Sequence, residues 1–206
     1  MLMETALAPR LQGLNIYLVG MMGAGKSAVG RPLAEALGYR FLDADQAIEQ
    51  VAGCTIPQLF ASEGEAGFRQ LETQVLTGIA SWHSLVVATG GGVVLRPENW
   101  GVMHQGAVIW LDAPETLLLE RLAADPTPRP LMQAADPAAR LAELLEQRRP
   151  LYRQADLHIL QSGEPPETVA ALVLEALPSL LKEKPRPPLS PVQLQDADGK
   201  PTLSFN

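Results

Sequence analysis

The stretch that decides the fold is residues 20–27, which read Gly20-Met21-Met22-Gly23-Ala24-Gly25-Lys26-Ser27. It fits the pattern G-x-x-x-x-G-K-[ST], in which a glycine-rich loop binds the phosphates of a nucleotide. An apolar run, 14–19, precedes it, and a helix-like run, 28–37, follows. This strand, loop and helix are the context that the pattern requires. We therefore predict that the chain binds a nucleoside triphosphate, although the loop does not identify the phosphate acceptor.

The residue types of this loop indicate how phosphate is held. Glycine allows positive φ and a close approach of the backbone to a ligand, so that successive N–H groups form a concave anion site. The helix that begins there adds the positive end of its dipole. We expect Lys26 to reach the β- and γ-phosphates and the Ser27 hydroxyl to hold Mg²⁺. The predicted nucleotide-binding residues of the loop are Gly23, Ala24, Gly25, Lys26, Ser27 and Ala28.

Composition excludes several classes of protein. A net charge of −7 argues against nucleic-acid binding, and no apolar run approaches the roughly 20 residues of a membrane span. A single cysteine, Cys54, excludes an internal disulfide and a cysteine-based zinc site. Residues 1–12 contain no long apolar region, so no signal peptide is predicted. We expect a cytoplasmic protein that binds neither membranes nor nucleic acid.

Strands and helices alternate along the chain. The predicted strands are 14–19, 39–42, 85–88, 107–111 and 157–160, and the main predicted helices are 26–37, 46–52, 65–82, 113–123, 136–149 and 166–181. This alternation predicts an α/β fold of three layers, α/β/α, around a five-stranded parallel sheet. We expect one domain over 13–181, a loose arm at 1–12, and a flexible proline-rich tail at 182–206.

Local signals place the ends of several helices. Thr55-x-x-Gln58 and Ser62-x-x-Glu65 both read as capping boxes, and the second is expected to begin the long helix. Asp112 and Asp136 are predicted to cap the two helices that follow them. Pro150 is expected to interrupt the second of these helices.

Polar and glycine-rich segments follow the predicted strands, at the edge where ligands bind in parallel α/β folds. Asp43 and Asp45 follow the second strand, so one could hold Mg²⁺, directly or through water, and the other could accept a proton. The alternative, that both are helix N-cap residues, is equally compatible with the spacing. Residues 90–92, three consecutive glycines after the third strand, would let a substrate touch backbone N–H groups. A tight turn without a ligand is the alternative.

Three arginines are candidates for binding an anionic substrate. Arg69 lies on the long predicted helix, and Arg153 lies just past the predicted helix break. Either arginine alone is more typical of a solvated surface charge. Arg129 lies in the proline-rich loop 125–132, and an arginine on a mobile loop can neutralise a γ-phosphoryl group. The sequence around it leaves this role and a surface position equally open.

Six motifs, in this order, resemble those of the shikimate kinase family, and the match covers about 14–177. The motifs are residues 20–27; Phe41-Leu42-Asp43-Ala44-Asp45 with Ile48-Glu49; Phe68-Arg69-x-x-Glu72; Ala88-Thr89-Gly90-Gly91-Gly92; Arg129-Pro130-Leu131; and Arg148-x-Pro150-Leu151-Tyr152-Arg153. The resemblance implies a P-loop, nucleoside-monophosphate-kinase-like fold. It also implies transfer of the ATP γ-phosphoryl group to the 3-hydroxyl of shikimate, with Mg²⁺ as cofactor and a monomeric enzyme.

The same resemblance implies a role for individual residues on the nucleotide side. Lys26 contacts the phosphates, Ser27 ligates Mg²⁺, and Asp43 holds the metal through water. Arg129 resembles the arginine of a lid that spans about 123–135. Proline is more frequent in this lid than the family pattern suggests, which implies a stiffer lid. For adenine, only candidates emerge, namely Arg121 and Pro165 or Pro166.

On the acceptor side, the resemblance places the substrate-binding segment at about 43–72. Asp45 is the residue expected to bind the substrate hydroxyls and to act as a base. The substrate carboxylate and ring are expected to contact Arg69, Gly91 and Arg153, with Glu72 orienting Arg69. A bidentate guanidinium–carboxylate pair suits a small anionic substrate. The alternatives are a gluconate-kinase-like enzyme with a different acceptor and a family relative that no longer catalyses.

Overall fold

The computed structural model describes residues 4–125, 136–181, 194–195 and 201–202. Its centre is a five-stranded parallel sheet in the order β2-β3-β1-β4-β5. The strands are β1 (Ile16–Val19), β2 (Arg40–Asp43), β3 (Leu85–Ala88), β4 (Ala107–Asp112) and β5 (Leu157–Leu160). The predicted α/β fold with a five-stranded parallel sheet is confirmed.

Helices cover both faces of this sheet. They are α1 (Glu4–Leu11), α2 (Lys26–Leu37), α3 (Ala44–Ala52), α4 (Ile56–Ala80), α5 (Pro97–Met103), α6 (Glu115–Ala124), α7 (Pro137–Tyr152) and α8 (Pro166–Ala176). Short 3₁₀ helices lie at Val93–Leu95 and Leu177–Leu180. Among the described helices, none has the length and apolar character needed to cross a bilayer.

Side chains of the central strand β1 point alternately to the two faces of the sheet, which explains why each face has its own apolar cluster. Ile16 and Leu18 of β1 join one apolar cluster with residues of α2, α7 and α8. Tyr17 and Val19, which point the opposite way, join a second cluster with residues of α4 and α5. All four side chains are buried, as expected for the middle strand of a parallel sheet covered on both sides.

The predicted loose arm at 1–12 is wrong for most of its length. Residues 4–11 form α1, and Leu7 and Leu11 are buried in the cluster that contains α2. These leucines lie four positions apart, so they fall on one face of a helix. The arm is therefore part of the core, because its two leucines supply an apolar stripe.

Three of the predicted helix boundaries also differ. Ser62 caps nothing, because α4 runs from Ile56 to Ala80 and the Ser62 hydroxyl donates to Leu59 O. Asp112 ends β4, and Pro114 is the N-cap of α6. Pro150 lies inside α7 and does not interrupt it.

The long helix α4 is bent at a glycine. Thr55 caps it through the predicted box with Gln58. Gly64 has φ 68° and ψ −176°, a conformation outside the helical region. The break separates an N-terminal part, which borders the substrate-side cavity described below, from a C-terminal part that carries Arg69 and Glu72.

Parts of the predictions fall outside the described residues. Arg129 and most of the predicted lid belong to the undescribed range 126–135. Within the predicted tail, Leu194–Gln195 and Pro201–Thr202 form β6 and β7, a short antiparallel pair. The remainder of the tail lies outside the described residues, so its flexibility stays a prediction.

Candidate active site

The loop at 20–27 adopts the conformation that its glycines permit. Gly20, Gly23 and Gly25 have φ of 146°, 80° and 82°. At Gly20, a Cβ atom would overlap Leu111 O, so only glycine fits where the loop crosses the end of β4. The Lys26 ammonium donates to Gly20 O at 2.9 Å and to Met21 O at 3.0 Å. Lys26 is thus held over its own loop, where an incoming phosphate would lie.

Two side chains from distant parts of the chain support this loop. Gln161, which follows β5, is buried and donates to Ala24 O at 2.9 Å. Arg121 of α6 donates to Gly23 O at 3.2 Å. No sequence signal marks Gln161. Arg121 lies beside the loop, whereas contact with adenine by Arg121, Pro165 or Pro166 stays a prediction.

Ser27 and Asp43 meet at the end of β2. The Ser27 hydroxyl donates to Asp43 Oδ2 at 2.6 Å, and Asp43 Oδ1 accepts from Asp45 N at 3.0 Å. Asp43 is therefore the N-cap of α3 and a partner of Ser27 at once, while Asp45 lies in the first turn of that helix.

This pair fits Mg²⁺ as a nucleotide-bound ion. One hydroxyl and one carboxylate, completed by phosphate oxygens and water, are the ligand set that Mg²⁺ prefers at phosphate sites. Among the described residues there is no cluster of three or more His, Cys, Asp or Glu that would bind a metal without the nucleotide. Because this pair supplies only two protein ligands, it suits a metal whose other ligands are phosphate oxygens and water.

A cavity of about 770 Å³ opens beside Ser27. It is enclosed by the loop at 20–27, by α3, by both parts of α4, by residues 90–92 and by α7. Its polar and glycine lining comprises Ser27, Asp43, Asp45, Gln46, Glu49, Thr55, Arg69, Glu72, Gly90, Gly91, Gly92 and Arg148, and its apolar lining comprises Met22, Ile56, Pro57, Phe60 and Phe68. The structure thereby brings Ser27, Asp43, Asp45, Arg69 and Gly91 together around one space.

The three consecutive glycines have no positive φ, and charged side chains lie close to two of them. A Cβ atom at Gly92 would lie 2.5 Å from the Arg69 guanidinium carbon. At Gly90, it would lie 2.9 Å from Asp45 Oδ1 and 3.0 Å from Glu72 Oε1. The charged side chains of the cavity therefore pack directly on the backbone of 90–92, and a larger residue there would displace them.

Arg69 is buried and held by two carboxylates. It donates to Glu72 at 2.9 Å and to the half-exposed Glu65 at 3.2 Å. Burial raises the pKa of Glu72, and the Arg69 charge counters part of that rise. The second carboxylate oxygen of Glu72, Oε1, is buried without a hydrogen-bond partner in the described part of the chain. Glu72 thus orients Arg69 and keeps one acceptor oxygen unused.

Arg153, predicted to bind substrate, does not reach this cavity. It is exposed and lines a separate surface depression with Glu115, Glu146 and Arg149. Arg148 lines the cavity in its place, with 2% of its surface exposed. Its Nε and Nη1 atoms are buried without a partner among the described residues. Donors of this kind are rarely left unpaired, so Arg148 is suited to an anion that enters the cavity.

Helical periodicity would have distinguished these two arginines. Arg148 is spaced three, four and seven positions from buried residues of α7, which are Leu145, Leu144 and Leu141. Arg153 follows the helix as its C-cap. The family resemblance alone had suggested Arg153, whereas Arg148 already lies within the predicted helix 136–149, on the face that is buried.

The fold and the site together define a class. A P-loop at the end of the central strand, beside a cavity lined by carboxylates and buried arginines, is the arrangement of a P-loop kinase for a small anionic acceptor. A family model described as shikimate kinase matches residues 22–178. The chain belongs to the shikimate kinase family, and it is an ATP-dependent phosphotransferase that acts on an alcohol group.

Individual relatives agree with this family. A shikimate kinase of Synechococcus sp. (strain CC9605) is 60% identical over 177 residues, or 86% of this chain and 89% of that protein. The structure of shikimate kinase from Acinetobacter baumannii in complex with shikimate has a TM-score of 0.80 and 42% identity, covering 85% of this chain and 98% of that one. A gluconokinase from Sinorhizobium meliloti 1021, with a TM-score of 0.53 and 20% identity, shares the fold alone.

Proposed function

We propose that this chain transfers the γ-phosphoryl group of ATP to the 3-hydroxyl of shikimate, which gives shikimate 3-phosphate and ADP for chorismate and aromatic amino acid synthesis. The observation that carries this proposal is Arg148, a buried guanidinium in a cavity beside the P-loop, with two nitrogens that have no partner among the described residues. Its family and a relative solved with shikimate support the same substrate.

The acceptor is held mainly through its carboxylate. Arg69 and Arg148 both line the cavity, and a Cβ atom at Gly91 would lie 3.7 Å from Arg148 Nη1. We assign the carboxylate to these two guanidinium groups and to the backbone of Gly91. A charge-assisted hydrogen bond in a water-poor pocket is stronger than a neutral one. Arg148 takes the role that the sequence had suggested for Arg153.

Asp45 is assigned to the substrate hydroxyls. It lines the cavity, and its Oδ1 packs against Gly90. A carboxylate in this position orients the ring through its hydroxyls and accepts the proton of the attacking hydroxyl. With the carboxylate fixed on the arginines, one hydroxyl is directed towards the P-loop, and such positioning supplies much of the rate enhancement in phosphoryl transfer.

The nucleotide is assigned to the P-loop, with Lys26 and the amides of residues 23–28 on its phosphates. Ser27 would ligate Mg²⁺, and Asp43 would hold the ion through water. When bound, Mg²⁺ neutralises phosphate charge and orients the γ-phosphoryl group. Donor and acceptor sites adjoin, since a Cβ atom at Gly91 would lie 3.3 Å from Met22 N. Arg129 is proposed to complete the site from the lid, and closure would exclude water as a competing acceptor.

A monomer in the cytoplasm is the proposed working form. No nucleic-acid or membrane partner is proposed, because the chain carries a net charge of −7.

A coupled assay of ADP release tests the proposal. ATP and Mg²⁺ are supplied with shikimate, gluconate, a nucleoside monophosphate or no acceptor. We expect ADP release above background only with shikimate. ADP release with gluconate alone would mean that gluconate is the acceptor and that Arg69 and Arg148 do not have the roles proposed here. Measurable ATP binding without release on any acceptor would indicate a relative that no longer catalyses.

A further inference from the structure

Tyr152 ends α7 behind the wall of the cavity and has no role in the chemistry above. Its side chain is 1% exposed, and its hydroxyl donates to Gly91 O at 2.5 Å. We propose that Tyr152 is a positioning residue for the acceptor carboxylate, because this hydrogen bond fixes Gly91 beside Arg148. The inference rests on the proposed function and adds a determinant of substrate affinity to it.

One helix supplies both parts of the arrangement. Arg148 and Tyr152 are four residues apart in α7, so they lie on the same face of the helix. Arg148 lines the cavity, and Tyr152 binds the carbonyl of the glycine next to it. The distance between the buried cation and the backbone at 91 is therefore set by α7, which makes the two proposed carboxylate contacts a single unit.

The hydrogen bond also orients a segment that has little rigidity of its own. Residues 90–92 lack side chains, and glycine has a wider range of backbone conformations than other residues. In a trans peptide the Gly91 carbonyl and the Gly92 N–H point in opposite directions. Because Tyr152 binds that carbonyl, the direction of the peptide between Gly91 and Gly92 is fixed.

Tyr152 is itself held firmly. Its ring stacks on Trp110 with centroids 5.7 Å apart, and Trp110 stacks on His158 at 3.9 Å. Burial raises the pKa of Tyr152 to about 12, although the Arg148 charge acts against the rise. The hydroxyl therefore stays protonated and remains a donor at any pH near neutrality.

Tyr152→Phe tests the inference, because it removes the hydroxyl and keeps the ring. We expect the KM for shikimate to rise about tenfold, since the Gly91 carbonyl loses its buried donor. The KM for ATP should stay near that of wild type. Tyr39→Phe is the matched control, because it removes a phenol hydroxyl beside the opposite end of β2 and should change neither constant.

If Tyr152 had only a packing role, the results would differ, and two measurements distinguish that role from the proposed one. If Tyr152 only fills space, Tyr152→Phe will lower the Tm or leave it unchanged, with the same KM for shikimate as wild type. That result would overturn the inference.

Methyl shikimate, which has no negative charge, provides the second readout. We expect wild type and Tyr152→Phe to have equal KM values for this ester. An equal loss on shikimate and on the ester would mean that Tyr152 does not act through the carboxylate site. A wild-type enzyme that releases no ADP with shikimate would instead overturn the proposed function, so the two failures are distinguishable.

Discussion

Arg148 and Arg153 carry the same charge five positions apart, but only Arg148 is buried in the cavity. We expect Arg148→Ala to raise the KM for shikimate by about 10- to 100-fold, because a charge-assisted hydrogen bond is lost from a buried site. Arg153→Ala, the matched control, should leave this KM near that of wild type. Steady-state kinetics with shikimate varied at saturating ATP measure both. A larger increase in this KM from Arg153→Ala would indicate that Arg153 binds the substrate carboxylate, as the sequence first suggested.

Asp43 and Asp45 both line the cavity, and Asp43 is also the N-cap of α3. Asp45→Asn should reduce kcat by about 10²- to 10⁴-fold, the usual contribution of a general base, and weaken shikimate binding. ATP affinity, measured by calorimetry, should change little. Asp136→Asn is the control, because asparagine also caps helices and Asp136 lies at the start of α7, outside the cavity. Unchanged kinetics in Asp45→Asn would exclude the base role.

Glu72 connects pH to stability. Burial raises its pKa, so the folded chain holds this proton more tightly than the unfolded chain. Ionisation of Glu72 therefore lowers the free energy of unfolding as pH rises from about 4.3, the ordinary value of a glutamate, through the raised pKa. The free energy of unfolding of Glu72→Gln, relative to that of wild type, should therefore increase as pH rises through this range.

Urea unfolding at a series of pH values measures this difference. Glu65→Gln removes the half-exposed carboxylate beside Arg69 and is the control that separates burial from pairing with the arginine. A Glu72→Gln difference that decreases with rising pH would contradict the assignment.

At the scale of elements, α4 offers two glycines with opposite requirements. Gly64 has φ 68° and ψ −176°, a region nearly restricted to glycine, whereas Gly78 lies in regular helix with open space around a Cβ atom. Gly64→Ala should lower the free energy of unfolding by about 1–3 kcal/mol. Gly78→Ala should raise it by about 0.5–1 kcal/mol. Chemical denaturation measures both, and equal effects would show that the bend at Gly64 is not required.

Sequence patterns predicted the elements better than their ends. The P-loop and the buried strands were predictable because phosphate chemistry and burial on two faces restrict the residues allowed there. Ser62 was taken for a cap because a serine followed by a glutamate three residues later fits that motif, whereas the hydroxyl bonds back to Leu59. Pro150 was expected to end α7, yet the helix continues to Tyr152. Such choices depend on tertiary packing, which local patterns do not contain.

The candidate site was predictable where a motif lies at a strand end. Asp43, Asp45 and Gly91 were found in this way, because parallel strands bring their carboxyl ends to one edge. Gln161 was assigned no role, because its position under the P-loop depends on the packing of the whole sheet. Arg148 was assigned no role although its helical spacing from Leu141, Leu144 and Leu145 predicts a buried position.

On the scale of the whole molecule, the two ends of the chain differ. The family model matches 22–178, and the described cavity lining lies between Met22 and Arg148. A chain that ends at Leu181 should therefore keep its kcat and KM within about twofold of the full chain.

A chain that lacks residues 1–12 should lose about 3 kcal/mol or more of stability, because Leu7 and Leu11 leave the core. Thermal unfolding and the ADP assay on both truncations measure these outcomes, and loss of activity on removing the tail would give it a role.

The strand order has a consequence for synthesis on the ribosome. β1 lies between β3 and β4 in the sheet. The first strand to be synthesised therefore cannot pair with either neighbour until those later strands have been made. Arg148 is made later still, with α7. A nascent chain that stops before α7 already contains the whole P-loop but has only one of the two buried arginines. The growing polypeptide therefore cannot assemble its acceptor pocket until translation has passed most of its length.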